Sequence, residues 1–110
     1  MDNNLMMREI QEIVGMIKKT VNCEKIYLFG SYAYGNPNET SDFDIYVVLP
    51  NDSIRPLEIR RRIYKKLLAN KINKSVDILA GYARDFKSLS ELPSLERKIA
   101  REGILIYEQK

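Results

Sequence analysis

Two rhythms of hydrophobic and polar positions run along this chain, and the switches between them outline its elements. Over residues 4–20, Met6, Ile10, Ile13, Val14, Ile17 and then Val21 recur at helical spacing. Arg8, Glu9, Gln11, Glu12, Lys18 and Lys19 fall on the opposite side, so the pattern predicts an amphipathic helix, with Asn3 or Asn4 as its cap. Ile26 to Phe29 is a continuous apolar run, the pattern of a strand buried on both faces. Ser31 to Tyr34 reads as a helical turn, and Asn36 to Ser41 as a loop by composition. Phe43 to Leu49 predicts the central strand, terminated by Pro50-Asn51-Asp52-Ser53.

The helical rhythm returns over Pro56 to Asn70, where Ile59, Ile63 and Leu67 make a stripe with Tyr64 and Leu68 alongside. Ser75 to Ala80 predicts a third strand that carries Asp77 in its middle. Gly81 to Leu89 is read as irregular or a short helix. A last helix is predicted from Leu92-Pro93 to about Glu102, with Pro93 early, where its missing N–H is harmless. Gly103 closes it, and Ile104 to Tyr107 reads as an edge strand. Helices alternating with strands predict one sheet covered by helices, an α/β (α+β) architecture. The pattern does not fix the strand directions.

Composition narrows the chemistry. A chain of 110 residues, 45% of them hydrophobic, is expected to form one domain over 1–110 with a modest core. No apolar segment approaches the ~18 residues of a membrane span and no leader pattern opens the chain, so a cytoplasmic protein is expected. Cys23 is the only cysteine, which excludes an intrachain disulfide and a zinc cluster. Histidine is absent, which excludes Ser-His and Cys-His catalysis. Proton transfer near neutral pH is left to a carboxylate, Lys, Tyr or Cys.

Charge is unevenly placed. Residues 55–74 hold eight basic side chains against Glu58, net +7 in a chain whose total is +3, which leaves −4 elsewhere. One basic face toward a nucleic acid, a nucleotide or an acidic partner is one reading, and a solvated helix face is the other. Arg61 with Lys65, and Arg62 with Lys66, are i,i+4 pairs of like charge, which gain nothing on an isolated helix.

The most informative stretch is Lys25 to Leu49, where Gly30-Ser31 interrupts one apolar run and Asp42-Phe43-Asp44 opens the next. Residues two apart on a strand share a face, roughly 7 Å apart at the α-carbons. Asp42 and Asp44 therefore point the same way, and Phe43 and Ile45 the other. Two neighbouring ionised carboxylates at the threshold of a buried strand repel and lose hydration unless a cation sits between them. Oxygen ligands without His or Cys suit Mg²⁺ or Mn²⁺. Each residue also has a plainer role. Ser31 could cap the following turn. Asp42 could be a turn residue. Asp77 could sit in a buried salt bridge, and Tyr32, Tyr34 and Tyr46 could be packing residues.

Gly30-Ser31, ten residues, then Asp42-Phe43-Asp44 resembles the signature of the DNA-polymerase-beta-like nucleotidyltransferase superfamily. The pattern is most similar to its minimal nucleotidyltransferases, of the kind paired with HEPN-domain toxins. The resemblance implies a small mixed β-sheet flanked by helices, the nucleotidyltransferase fold. It implies transfer of a nucleoside monophosphate, AMP from ATP, to a hydroxyl by a two-metal mechanism, with Asp42, Asp44 and Asp77 as catalytic acids and metal ligands. Gly30 and Ser31 are then the nucleotide-binding residues. Many relatives carry a basic residue where this chain has Tyr34, so one phosphate contact has no counterpart there. Larger relatives bind the acceptor with extra domains, which implies that a partner or a second copy of this chain supplies that surface here. The implied role is an antitoxin that AMPylates a tyrosine of a HEPN toxin. The alternatives are a binding module that neutralises its partner by contact alone, and transfer to a small molecule such as an aminoglycoside.

Overall fold

The computed structural model describes residues 3–38, 41–72 and 74–110, with the side chains of Asn3 and Asn4 outside that description. The cap expected at Asn3 or Asn4, and positions 39 and 40 of the expected loop, therefore lie outside the described residues. In chain order the elements are α1 (Asn3–Thr20), β1 (Lys25–Phe29), α2 (Ser31–Tyr34), β2 (Phe43–Leu49), α3 (Pro56–Ala69), β3 (Val76–Tyr82), α4 (Ala83–Ser90), α5 (Leu95–Glu102) and β4 (Ile104–Glu108). The four strands form one sheet in the order β3-β2-β1-β4. β1 runs antiparallel to both β2 and β4, whereas β2 and β3 are parallel, so the sheet is mixed. The architecture is α/β with helices on both faces of the sheet, as expected.

Alternation along the strands sorts side chains onto those two faces. On one face Phe43, Ile45, Val47 and Leu49 of β2, Ile78 of β3, and Ile26 and Leu28 of β1 meet α1 and α3. The helices contribute Ile10, Ile13, Val14 and Ile17 from one and Ile59, Ile63 and Leu67 from the other. Each such side chain, fully buried, stabilises the fold by roughly 1.5–3 kcal/mol relative to exposure. On the opposite face Tyr27, Phe29, Tyr46 and Val48 pack under Phe86 of α4 and Ile99 of α5.

Two boundaries differ from the sequence reading by more than one residue. β3 runs on through Gly81 and Tyr82, which pair with Val48 and Leu49. Glycine is required at 81 because a Cβ there would stand 2.4 Å from the Tyr46 hydroxyl. The segment after it takes the short-helix alternative, as α4. The last helix starts later than Leu92-Pro93, because the Ser94 hydroxyl caps it by accepting the Arg97 N–H at 3.1 Å. Among the described residues no helix is long and apolar enough to cross a membrane.

Candidate functional site

β1 ends at Phe29, which pairs with Asp44 of the neighbouring strand. The chain then turns sharply at Gly30, with φ +73° and ψ −159°. A Cβ at Gly30 would lie 2.0 Å from Asp44 Oδ2, so only glycine lets the turn rest on that carboxylate. The Gly30 carbonyl accepts the N–H groups of Ala33 and Tyr34, both at 3.0 Å, which starts α2. No side chain caps α2, so the Ser31 hydroxyl is not used as a cap.

Asp42 lies just before β2 and Asp44 within it, both facing away from the large core. The parallel register sets Asp44 directly opposite Asp77 of β3. Asp44 and Asp77 therefore share one face of two adjacent strands, and the charge of Asp42 reaches Asp44 from the residue just before β2. Phe43, Ile45 and Ile78, which alternate with them, are at most 1% exposed and anchor the backbone from behind. Asp42 and Asp77 are exposed and Asp44 is half-buried. Burial pushes the Asp44 carboxyl above its ordinary pKa, and the charges of Asp77 and then Asp42 push it further the same way.

The ion pairs among the described residues join Lys25 to Glu108 and Glu58 to Arg61 and Arg62, and include none of the three aspartates. The buried salt bridge considered for Asp77 is therefore not formed. Its carboxylate instead accepts a hydrogen bond from the Tyr64 hydroxyl of α3 at 3.2 Å. Among the described residues no three acidic, His or Cys side chains converge as a ready-made metal cage. The donor set nevertheless fits a hard divalent cation. It offers carboxylate oxygens only, and Asp44 bears like-charge repulsion that a cation drawn between the carboxylates would relieve.

The surrounding aromatic residues pack. Tyr32 is buried with its ring tilted on Phe43 at 4.5 Å, and the Lys74 ammonium donates to its hydroxyl. Tyr46 is buried and donates to Glu96 Oε2 at 3.2 Å. The Tyr34 hydroxyl is buried and, among the described residues, has no hydrogen-bond partner of ordinary geometry. Burial raises its pKa, the Gly30 backbone partly offsets this, and Glu102 and Asp44 add to the rise. The Lys98 ammonium sits over the Tyr34 ring, 4.9 Å from its centroid. A cation is thus held beside position 34 from another element, although the residue itself is not basic. On the basic helix, Glu58 pairs with Arg61 at 3.5 Å and Arg62 at 3.6 Å, which offsets part of the like-charge crowding.

Tyr64 is the contact that the sequence reading missed. It stood beside the apolar stripe of its helix, and only the position of β3 reveals what its hydroxyl reaches.

A profile of the family described as Polymerase beta, Nucleotidyltransferase matches residues 11–110. Among solved structures, the chain is similar to a Sulfolobus solfataricus protein assigned as a nucleotidyltransferase. That match has 21% identity and a TM-score of 0.66, covering 94% of this chain and 81% of that one. A toxin–antitoxin structure with AMP-PNP is similar at 21% identity and a TM-score of 0.59, over 91% of this chain and 73% of the other. A mutant of the toxin–antitoxin pair MntA–HpeT gives 19% identity and a TM-score of 0.58 over the same shares, 91% and 73%. At these identities the likeness to solved structures concerns the fold. No curated protein matches the chain in sequence.

Proposed function

The chain belongs to the polymerase beta nucleotidyltransferase family and is as such a nucleotidyltransferase; on that premise we propose that it transfers AMP from ATP to a tyrosine hydroxyl of a partner toxin with a HEPN domain. The observation that carries the reading is the pairing of Asp44 with Asp77 in register, beside the Gly30 turn and within reach of the Asp42 charge. The likeness to toxin–antitoxin structures, one of them with AMP-PNP, supports both the partner and the nucleotide. The proposed setting is the cytoplasm, with the acceptor presented by the partner or by a second copy of the chain.

In the proposed reaction the acceptor oxygen attacks the α-phosphorus of ATP, a bond from that oxygen to phosphorus forms, and the bond to the leaving pyrophosphate breaks. The Gly30-Ser31 turn binds the phosphates, since glycine lets backbone approach closely and Ser31 offers a free hydroxyl. Asp77, the exposed acid on the edge strand, takes the proton from the acceptor hydroxyl. Asp42 and Asp44, with Asp77, would hold Mg²⁺ or Mn²⁺. Two such ions, when bound, stabilise negative charge on the attacking and leaving oxygens.

The test looks for a reading frame beside this one that encodes a HEPN domain and incubates this chain, α-labelled ATP and Mg²⁺ with the encoded protein. Label is expected on a tyrosine of that protein with the wild type, and none with Asp42→Asn or Asp77→Asn, both folded. A wild type that leaves the tyrosines unlabelled, yet neutralises the toxin equally with and without ATP, would replace this reading with a contact-only binding module.

A further inference from the structure

β3 is an edge strand, since β2 pairs with one side of it and, among the described residues, no strand pairs with the other. Within a strand the N–H and C=O of one residue point the same way, so Asp77 and Leu79 address β2 while Ile78 turns both backbone groups outward. Left to water, such an edge would be free to fray and to shift. Here α3 covers it with side chains. Arg60 Nε donates to the Ile78 carbonyl at 2.7 Å, and the Tyr64 hydroxyl accepts the Ile78 N–H at 2.7 Å. Arg60 and Tyr64 are four residues apart on one flank of the helix, so both reach the same residue of the strand.

The hydroxyl has a single proton, and its destination matters. Two acceptors are within reach, Asp77 Oδ1 at 3.2 Å and the Ile78 carbonyl at 3.5 Å. Asp77 is the nearer of the two and a carboxylate, the stronger acceptor, while the carbonyl already has the shorter bond from Arg60, so the proton goes to Asp77. Tyr64 thereby fastens the Asp77 carboxylate to the same backbone unit that it pins. This contact passes around the sheet edge, from the helix on the core face to the carboxylate face. Asp77 is exposed and in no ion pair among the described residues, so this is its anchoring hydrogen bond to the described protein.

We propose that Tyr64 is a positioning residue for the site, holding one oxygen of Asp77 so that the other faces Asp44 and whatever cation the two share. The inference rests on the reading of Asp77 as a metal-ligating acid. It assigns α3 a task besides covering the core. Residues that orient a ligating carboxylate typically contribute 10–100-fold to metal affinity.

The experiment is a double-mutant cycle in Mn²⁺ affinity, followed by electron paramagnetic resonance with saturating AMP-PNP. It compares wild type, Tyr64→Phe, Asp77→Asn and the double variant. Arg60→Met is the control for edge support alone. The expected results are about tenfold weaker Mn²⁺ binding in Tyr64→Phe, no further loss when Tyr64→Phe is added to Asp77→Asn, and unchanged affinity in Arg60→Met. Tyr64→Gln, too short to reach Asp77 and suited to a partly exposed position, carries the same expectation if Tyr64→Phe does not fold. Two results overturn the proposal while leaving Asp77 a ligand. One is a Tyr64→Phe variant that binds Mn²⁺ like the wild type while Asp77→Asn does not. The other is a Tyr64→Phe effect of equal size in the Asp77→Asn background, which would mark mere strand support. If Asp77→Asn itself binds Mn²⁺ normally, the ligand reading fails and this inference falls with it.

Discussion

The two faces of the sheet are made from the same strands and have opposite characters. Toward α1 and α3, β2 presents Phe43, Ile45, Val47 and Leu49, each at most 1% exposed. Toward α4 and α5, the next residues along are Asp42, Asp44, Tyr46 and Val48. That second face is itself divided. Its far end is closed by Phe86, whose ring lies 5.4 Å from Tyr27 and 5.1 Å from Tyr46. Its near end, beside Gly30, holds the carboxylates. A small domain can in this way hold two acids, Asp44 and Asp77, in register, with a third just before the strand. Alternate residues on the same backbone are locked into a close-packed interior, so the strands supply a rigid mount for groups that on their own repel one another.

Neighbours in sequence should therefore respond in opposite ways to substitution. Phe43→Ala removes a ring that is 1% exposed and packed on Tyr32. It should destabilise the apo protein by about 3–5 kcal/mol, as large-to-small changes of buried aromatics do, measured by urea unfolding. Changing either neighbour, Asp42→Asn or Asp44→Asn, should leave the unfolding midpoint at or above that of the wild type. If Phe43→Ala and Asp44→Asn destabilise equally, the division of labour between the faces is wrong.

Gly30→Ala tests the hinge between the strands and the site. The left-handed φ costs a non-glycine residue about 1–3 kcal/mol, and the added methyl collides with Asp44 Oδ2. A loss of about 2 kcal/mol is expected in urea unfolding, since the Asp44 side chain can give way in part. The rise in Tm that Mn²⁺ with AMP-PNP produces by binding the folded state should disappear with it, because the carboxylate has been moved. A variant that keeps the full rise would separate the turn from the nucleotide site.

Most of the fold was legible because its stripes are strong. Ile10-Ile13-Val14-Ile17 and Ile59-Ile63-Leu67 repeat at helical spacing, and each of these residues is buried. Of the run 81–89, read as irregular or a short helix, the helix formed from Ala83, while the extension of β3 through Gly81 and Tyr82 was not legible because glycine reads as a break. Gly81 stays in the strand for a tertiary reason, the Tyr46 hydroxyl that passes over it to Glu96. Leu92-Pro93 resembled a helix start, yet Ser94 offers the side-chain acceptor that proline lacks. In the site, the shared face of Asp42 and Asp44 followed from strand periodicity alone. Their alignment with Asp77 is a matter of register between strands separated by a whole helix, which no local pattern encodes. Tyr64 was hidden for the same reason, since its partners are an edge strand and a carboxylate that its own helix does not announce.

The carboxylate face should also respond to pH, by a small amount. Burial and the neighbouring charges of Asp77 and Asp42 raise the Asp44 pKa in the folded state above its ordinary value. The native protein therefore binds this proton more tightly than the unfolded chain does. The associated stabilisation is fully present below the ordinary carboxylate value and is lost as pH rises through the raised one. At neutral pH the ionised Asp44 is thus a liability in the apo protein. Asp44→Asn, which resembles the protonated acid, should be more stable than wild type at pH 7 in EDTA. Because the group is partly exposed and screened by water, the gain should be no more than about 0.5 kcal/mol. The two proteins should converge in stability as pH falls to about 3, where both side chains are neutral. Urea unfolding at pH 7 and pH 3 measures the difference. A gap that widens on acidification would mean that Asp44 is stabilised as the anion by a partner, and the carboxylate face would then be a charge-paired surface.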